Sequence, residues 1–197
     1  MSIDELPPRD FYVDLEASND PKLRKSWEII FRLKFGMDCE INWKDDLNIQ
    51  KGFGTDITIK TKQGRRYSVE LKTRKHSCFG KDWIMEIVHQ VYDKEDKETR
   101  HHLFKKEGWI YTTTAEYIFH GTLNEEGNDL IEVIFYSLVP FKTEKYKGEF
   151  DKYENLWLPT LFPNGNFQLT LNKLIPKEVI KKGSLEFWEW EKDDENR

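Results

Sequence analysis

The chain has 197 residues, 38% hydrophobic and 34% charged, with a formal net charge of −5. That length suits one domain with a sizeable core, or one core with a small appendage, and seven Trp supply apolar area to bury. The negative balance argues against a protein that coats nucleic acid indiscriminately. Cys39 and Cys78 form no metal-binding pair, and no apolar run approaches the ~20 residues that span a bilayer. The acidic, proline-containing opening is unlike a signal peptide, so an intracellular, cytoplasmic protein with free thiols and no membrane partner is expected.

Residues 1–19 read as an extended arm, since Pro7-Pro8 forbids an early helix. Ser18-Asn19-Asp20-Pro21 is a helix start, a polar cap ahead of a proline at the first helical position. From Pro21 to about Phe35, Leu23, Trp27, Ile30, Phe31 and Leu33 fall at helical spacing, with Glu28 beside the apolar stripe and Gly36 ending the run. A first strand is expected around Cys39 to Trp43. Asp45-Asp46 then reads as a solvated turn, and Gly52-Phe53-Gly54 leads into Asp56.

The most informative stretch is GTDITIKTKQGRRYSVELKTRK, from Gly54 to Lys75. Ile57 and Ile59 alternate with polar residues, as do Tyr67, Val69 and Leu71, which predicts two half-buried strands. Lys62-Gln63-Gly64 between them suits a three-residue hairpin loop, whose last position is left-handed and accepts glycine without steric cost. Closing the loop with Thr61 opposite Arg65 sets Ile57 against Val69, Ile59 against Tyr67 and Asp56 against Glu70. A two-residue loop would mix the faces, which the pleat disfavours. The favoured register brings two carboxylates to about 5 Å with Lys72 next along the strand, which destabilises a sheet unless something compensates. A divalent cation held by oxygen ligands would compensate it.

Residues 60–81 hold Lys60, Lys62, Arg65, Arg66, Lys72, Arg74, Lys75 and Lys81 against only Glu70, a block that suits an anionic polymer. For Lys62, Arg65 and Arg66 a solvated hairpin tip is an equally good reading. Lys60, Arg74, Lys75 and His76 are the candidate nucleic-acid contacts. Farther on, Trp83 to His89 reads as a strand in which Glu86 shares a face with Ile84 and Val88, as a metal-side partner or a holder of a basic group. Residues 90–107 read as a helix or mobile segment, and His101-His102 as a poor chelate. Gly108 to Tyr111 is expected to begin a strand, and Ile131 to Val139 to pair with Tyr117 to Leu123 as a hairpin. Beyond Lys142 come an amphipathic stretch to Trp157, a short strand at Phe167 to Leu171, and a short helix from Pro176 to Lys182. A last strand around Phe187 to Trp190 precedes a frayed end.

An Asp followed by Glu-x-Lys on the next strand resembles the PD-(D/E)XK nuclease superfamily, which includes restriction endonucleases, Holliday-junction resolvases and many phage and plasmid nucleases. Gly54-Thr55-Asp56 stands for the "PD" part, with Thr where the name has Pro, and Glu70-Leu71-Lys72 supplies the ExK part unaltered. The likeness covers roughly residues 20 to 120. It implies an α/β (α+β) fold with a restriction endonuclease-like core: a helix, a three-strand meander, a second helix and a further strand, in a central mixed β-sheet flanked by helices. The expected organisation is an arm at 1–19, a nuclease core at 20–140 and a C-terminal elaboration at 141–197.

The resemblance also implies hydrolysis of phosphodiester bonds in DNA with Mg²⁺, for which Mn²⁺ substitutes, and no nucleotide cofactor. Asp56 and Glu70 would be the metal ligands, joined by the backbone carbonyl of Leu71. Lys72 would orient the attacking water or stabilise developing charge. In the resolvase branch a helical glutamate upstream assists the metal, which makes Glu28 a further candidate. A homodimer follows by analogy with enzymes that cut both strands. The alternatives are a catalytically silent nucleic-acid-binding protein on the same fold and a recombination-type exonuclease. The latter carries a Gln-x-x-x-Tyr element, whereas here Gln90 and Tyr92 stand closer together.

Overall fold

The computed structural model describes residues 9–10, 20–44, 55–75, 82–92, 102–161 and 167–192. Asp45-Asp46, Gly52-Phe53-Gly54, His76, Cys78, Lys81 and His101 lie outside the described residues, as does nearly all of the expected arm.

Helix α1 (Pro21–Phe35) begins where the sequence places it. The Asp20 side chain accepts from the Lys22 N–H at 2.7 Å, Pro21 takes the first position, and Arg32 and Lys34 sit in the last turn against the negative helix end. Its buried face, Leu23, Trp27, Ile30 and Phe31, lies on a six-stranded sheet. That sheet starts as a meander of β2 (Glu40–Trp43), β3 (Ile57–Lys60) and β4 (Arg66–Lys75). The β3–β4 hairpin has the predicted register, with Ile57 opposite Val69 and Ile59 opposite Tyr67. Thr61 N–H donates to Arg65 O at 2.9 Å across the loop, and Gly64 has φ 85°, where a Cβ would be strained.

Strand β7 (Tyr117–Leu123) pairs parallel with β4, and β8 (Leu130–Ser137) returns antiparallel to β7. The last strand, β11 (Phe187–Glu191), closes that edge, giving the order β11-β8-β7-β4-β3-β2. The chain is thus an α+β protein with a central mixed sheet flanked by helices. β7 is buried on both sides, as a central parallel strand requires.

A second, five-stranded sheet covers the face that α1 leaves open. Its order is β1 (Arg9–Asp10), β9 (Asn155–Leu161), β10 (Phe167–Pro176), β5 (Asp82–Tyr92), β6 (His102–Glu107). β10 pairs with β5 on one side and β9 on the other, so residues after 141 build the middle of this layer. The inter-sheet core joins Trp83, Met85 and Ile175 to Ile118, Ile134 and Tyr136. Burying each such large side chain is worth about 1.5–3 kcal/mol. Among the described residues the remaining α-helices are short: α2 (Trp109–Thr112), α3 (Glu144–Phe150) and α4 (Lys177–Gly183).

Two expectations are corrected. Residues 102–107 form strand β6, not a helix, because they fold back antiparallel onto the open edge of β5, the strand just before them in the chain. Gly108 to Tyr111 does not begin a strand. Gly108 is pressed against the β5 backbone, where an added Cβ would lie 2.3 Å from Glu86 O, and the chain turns there into α2. Among the described residues, that single turn is the only helix between β4 and β7, so the crossover differs from the second helix that the resemblance implies.

Candidate active site

The alternation of β4 sends Val69 to the helix-side core and Glu70, Lys72 and Arg74 to the inter-sheet side. Asp56 lies just before β3, where regular pairing ends. Its N–H donates to Val69 O at 3.0 Å, and its carboxylate takes the place of a backbone acceptor, with Leu71 N–H donating to Oδ2 at 2.7 Å. The N–H and C=O of one strand residue leave on the same side of the strand. The Leu71 carbonyl therefore points into the same gap past the end of β3.

Glu70 is 7% exposed. Its Oε1 is 2.6 Å from Lys72 Nζ, and its Oε2 accepts from Thr113 Oγ1 at 3.4 Å. Burial, and then the Glu70 carboxylate, push Asp56 up to about 6, against the pull of Lys72 and the Leu71 N–H. For Lys72, burial acts downward, but Glu70, Asp56 and Glu86 outweigh it and hold the ammonium at about 12. Asp56, Glu70 and Lys72 thus meet in one electrostatic cluster. The oxygens of Asp56 and Glu70, with the Leu71 carbonyl, are donors of the kind hard divalent cations take, and Mg²⁺ sites commonly use only one or two carboxylates. Among the described residues, no group of three or more His, Cys, Asp and Glu side chains converges as a metal cluster, here or elsewhere, so an ion at this site would have two carboxylates and a carbonyl as its protein donors.

Several further groups line the cluster. A register shift between β5 and β10 skips Ile87 and leaves Glu86 opposite Asn172, and such bulges re-aim side chains. Glu86 Oε1 accepts the Trp109 N–H at 3.2 Å, and the Trp109 ring lies 4.9 Å from Lys72 Nζ. On β7, in register with Lys72, stands His120, 2% exposed and edge-on to Trp83 at 4.7 Å. Burial, then Arg74 and Lys72, keep its imidazole neutral by lowering its pKa well below the ordinary value.

The remaining candidates go elsewhere. Arg74 is buried, over the Trp83 ring at 4.4 Å and donating from Nε to Thr122 Oγ1 at 3.3 Å, so it is not part of a surface loop. Lys60 lies at the opposite end of β3 from Asp56 and is paired with Glu40 at 2.9 Å. The hairpin tip is likewise engaged, Lys62 with Asp38 and Arg65 with Glu186, each at 2.9 Å. Lys75 is the last residue of β4, and His76 lies outside the described residues. Glu28 accepts from Trp43 Nε1 at 3.1 Å, and Trp43 pairs with Ile57 beside Phe31 on the helix side. The structure therefore does not bring Glu28 to the inter-sheet face with Glu70 and Lys72.

Sequence reasoning passed over Thr113, Trp109, His120 and Lys142. The β4–β7 parallel register brings in His120, the α2 turn brings in Trp109 and Thr113, and the turn after β8 brings in Lys142; none of these has a local signal. Comparison with protein families, curated proteins and solved structures gave no match. Among the described residues, no helix is long and apolar enough to cross a membrane.

Proposed function

We propose that the protein is a metal-dependent endonuclease of the PD-(D/E)XK type, hydrolysing phosphodiester bonds in DNA with Mg²⁺ or Mn²⁺. The observation that carries this reading is the partly buried Asp56–Glu70–Lys72 cluster, in which one carboxyl is held up to about 6 by burial and its neighbour. The antiparallel meander followed by a parallel fourth strand supports it as well.

Asp56, Glu70 and the Leu71 carbonyl would hold the ion. When bound, a divalent cation supplies Lewis-acid polarisation of a phosphoryl oxygen and a lowered pKa for a coordinated water. Lys72, fixed by its 2.6 Å pair with Glu70, would set a compact positive charge beside the oxygen that gains charge in the transition state. The Trp109 ring flanks that ammonium, and Glu86, which accepts the Trp109 N–H, adds its negative charge. The reading assigns a cytoplasmic setting where DNA is reached directly, and a homodimer for double-strand cutting.

A second reading, a silent DNA-binding protein on the same fold, is favoured by the protein donors that each carboxylate already has. Incubation with plasmid, single-stranded and four-way-junction DNA in Mg²⁺, Mn²⁺ or EDTA separates the two. Cleavage with either metal and none in EDTA is expected. Binding without cleavage under every condition would overturn the catalytic reading, and light scattering of the same sample reports the oligomeric state.

A further inference from the structure

The 310 turn Val139–Lys142 follows β8 and is anchored by Phe141, fully buried in the inter-sheet core. From there Lys142 reaches back toward the cluster and donates to Thr113 O at 2.7 Å and Ala115 O at 3.0 Å. Those residues belong to the short loop between α2 and β7. Its Thr113 hydroxyl donates to Glu70 Oε2 and accepts the Ala115 N–H at 3.1 Å. Its Thr114 hydroxyl is 3.3 Å from that of Thr55, the buried residue before Asp56. The first three residues of this loop therefore touch both Glu70 and the residue before Asp56, and one ammonium holds two of their carbonyls.

We propose that Lys142 is a positioning residue of the site: it locks the Thr113–Ala115 loop, which orients Glu70 through Thr113 and holds the approach to Asp56 through Thr114. An ammonium taken half out of water is costly unless its donors are used, and here two carbonyls and the nearby Glu70 and Glu116 use its charge. Partners of metal-ligating groups commonly set affinity without touching the ion, with losses of about 10–100-fold on removal. The catalytic consequence rests on the nuclease reading, but the positioning does not.

The test compares wild type with Lys142→Met, Lys142→Arg and Thr113→Val. Amide hydrogen exchange is read at Ala115 and Leu71, and the Mg²⁺ concentration for half-maximal plasmid cleavage is measured alongside. Lys142→Met should speed exchange at Ala115 and Leu71 about tenfold while leaving Ile30 in α1 unchanged, and raise the half-saturating Mg²⁺ about tenfold with kcat at saturation retained. Lys142→Arg should restore most of both. Thr113→Val, which deletes only the hydroxyl, should shift the metal requirement in the same direction and serves if Lys142→Met does not fold. Unchanged exchange at Ala115 and Leu71, or equal acceleration at Ile30, would overturn the proposal. Locally faster exchange in a protein that neither cleaves DNA nor binds Mn²⁺ by titration calorimetry would support the clamp and refute the nuclease reading, so the two fail separately.

Discussion

On the face of the central sheet that α1 covers, Ile57, Ile59, Val69 and Phe119 pack under Trp27, Ile30 and Phe31, with the ring centroids of Phe31 and Phe119 lying 5.1 Å apart. On the face turned to the second sheet, the neighbours of those residues along the same strands are Asp56, Glu70, Lys72, Arg74 and His120. Both faces are covered by a second layer, yet one is almost purely apolar and the other holds charges of both signs, with Asp56 and Lys72 half-buried. The inter-sheet side also contains Trp83 Nε1, His120 Nδ1 and Tyr136 Oη, buried with no hydrogen-bond partner among the described residues. Buried polar atoms left in this way cost stability, so their concentration on one face marks where packing has yielded to another demand. The helix side maintains the fold, and the inter-sheet side is where the chemistry is proposed.

The sharpest way to break this division is to remove one acid. Asp56→Ala or Glu70→Ala should lower Mg²⁺-dependent plasmid cleavage by at least about 10³-fold while leaving the far-ultraviolet circular dichroism unchanged. Retained cleavage in either variant would sink the site assignment. The matching change on the other face is Phe31→Ala, fully buried, which should cost about 3–5 kcal/mol in urea unfolding and leave the Mg²⁺ requirement of the folded fraction where it was.

A pH series sharpens the comparison further. The Asp56 carboxyl stands at about 6 in the fold against an ordinary 3.8, so its stabilising contribution is complete below about pH 4 and is lost as pH rises through about 6. Without divalent metal, Asp56→Asn should therefore gain on wild type as pH rises from about 4 to 7, by up to about 3 kcal/mol. Mg²⁺ should close that gap near pH 7 by stabilising wild type alone. A difference in melting temperature that stays constant with pH would contradict the assignment of a raised Asp56.

The smallest effect belongs to Lys60→Ala. This exposed pair with Glu40 is worth less than about 1 kcal/mol, and at the far end of β3 from Asp56 the substitution should leave cleavage within about twofold.

Much of this was legible in the chain itself. Alternation of Ile57, Ile59, Tyr67 and Val69 around Lys62-Gln63-Gly64 determined the hairpin register, because a slip by one residue would send apolar side chains to the wrong face. Asp20-Pro21 and the Leu23–Trp27–Ile30–Phe31 spacing determined α1 in the same way. These are local codes of period two or 3.6, and they also brought Asp56, Glu70 and Lys72 to one place. What only the tertiary structure decided depends on contacts between segments that no local period encodes. β6 exists because β5 offers an edge, and α2 forms where Gly108 meets the β5 backbone. Arg74 is drawn inward by Trp83 and Thr122, while Glu28 stays on the helix side with Trp43. Thr113 reaches Glu70, and Lys142 reaches Thr113, from segments far along the chain, and no spacing within either segment records those meetings, because the contacts are made by the packing of layers and not by the run of neighbouring residues.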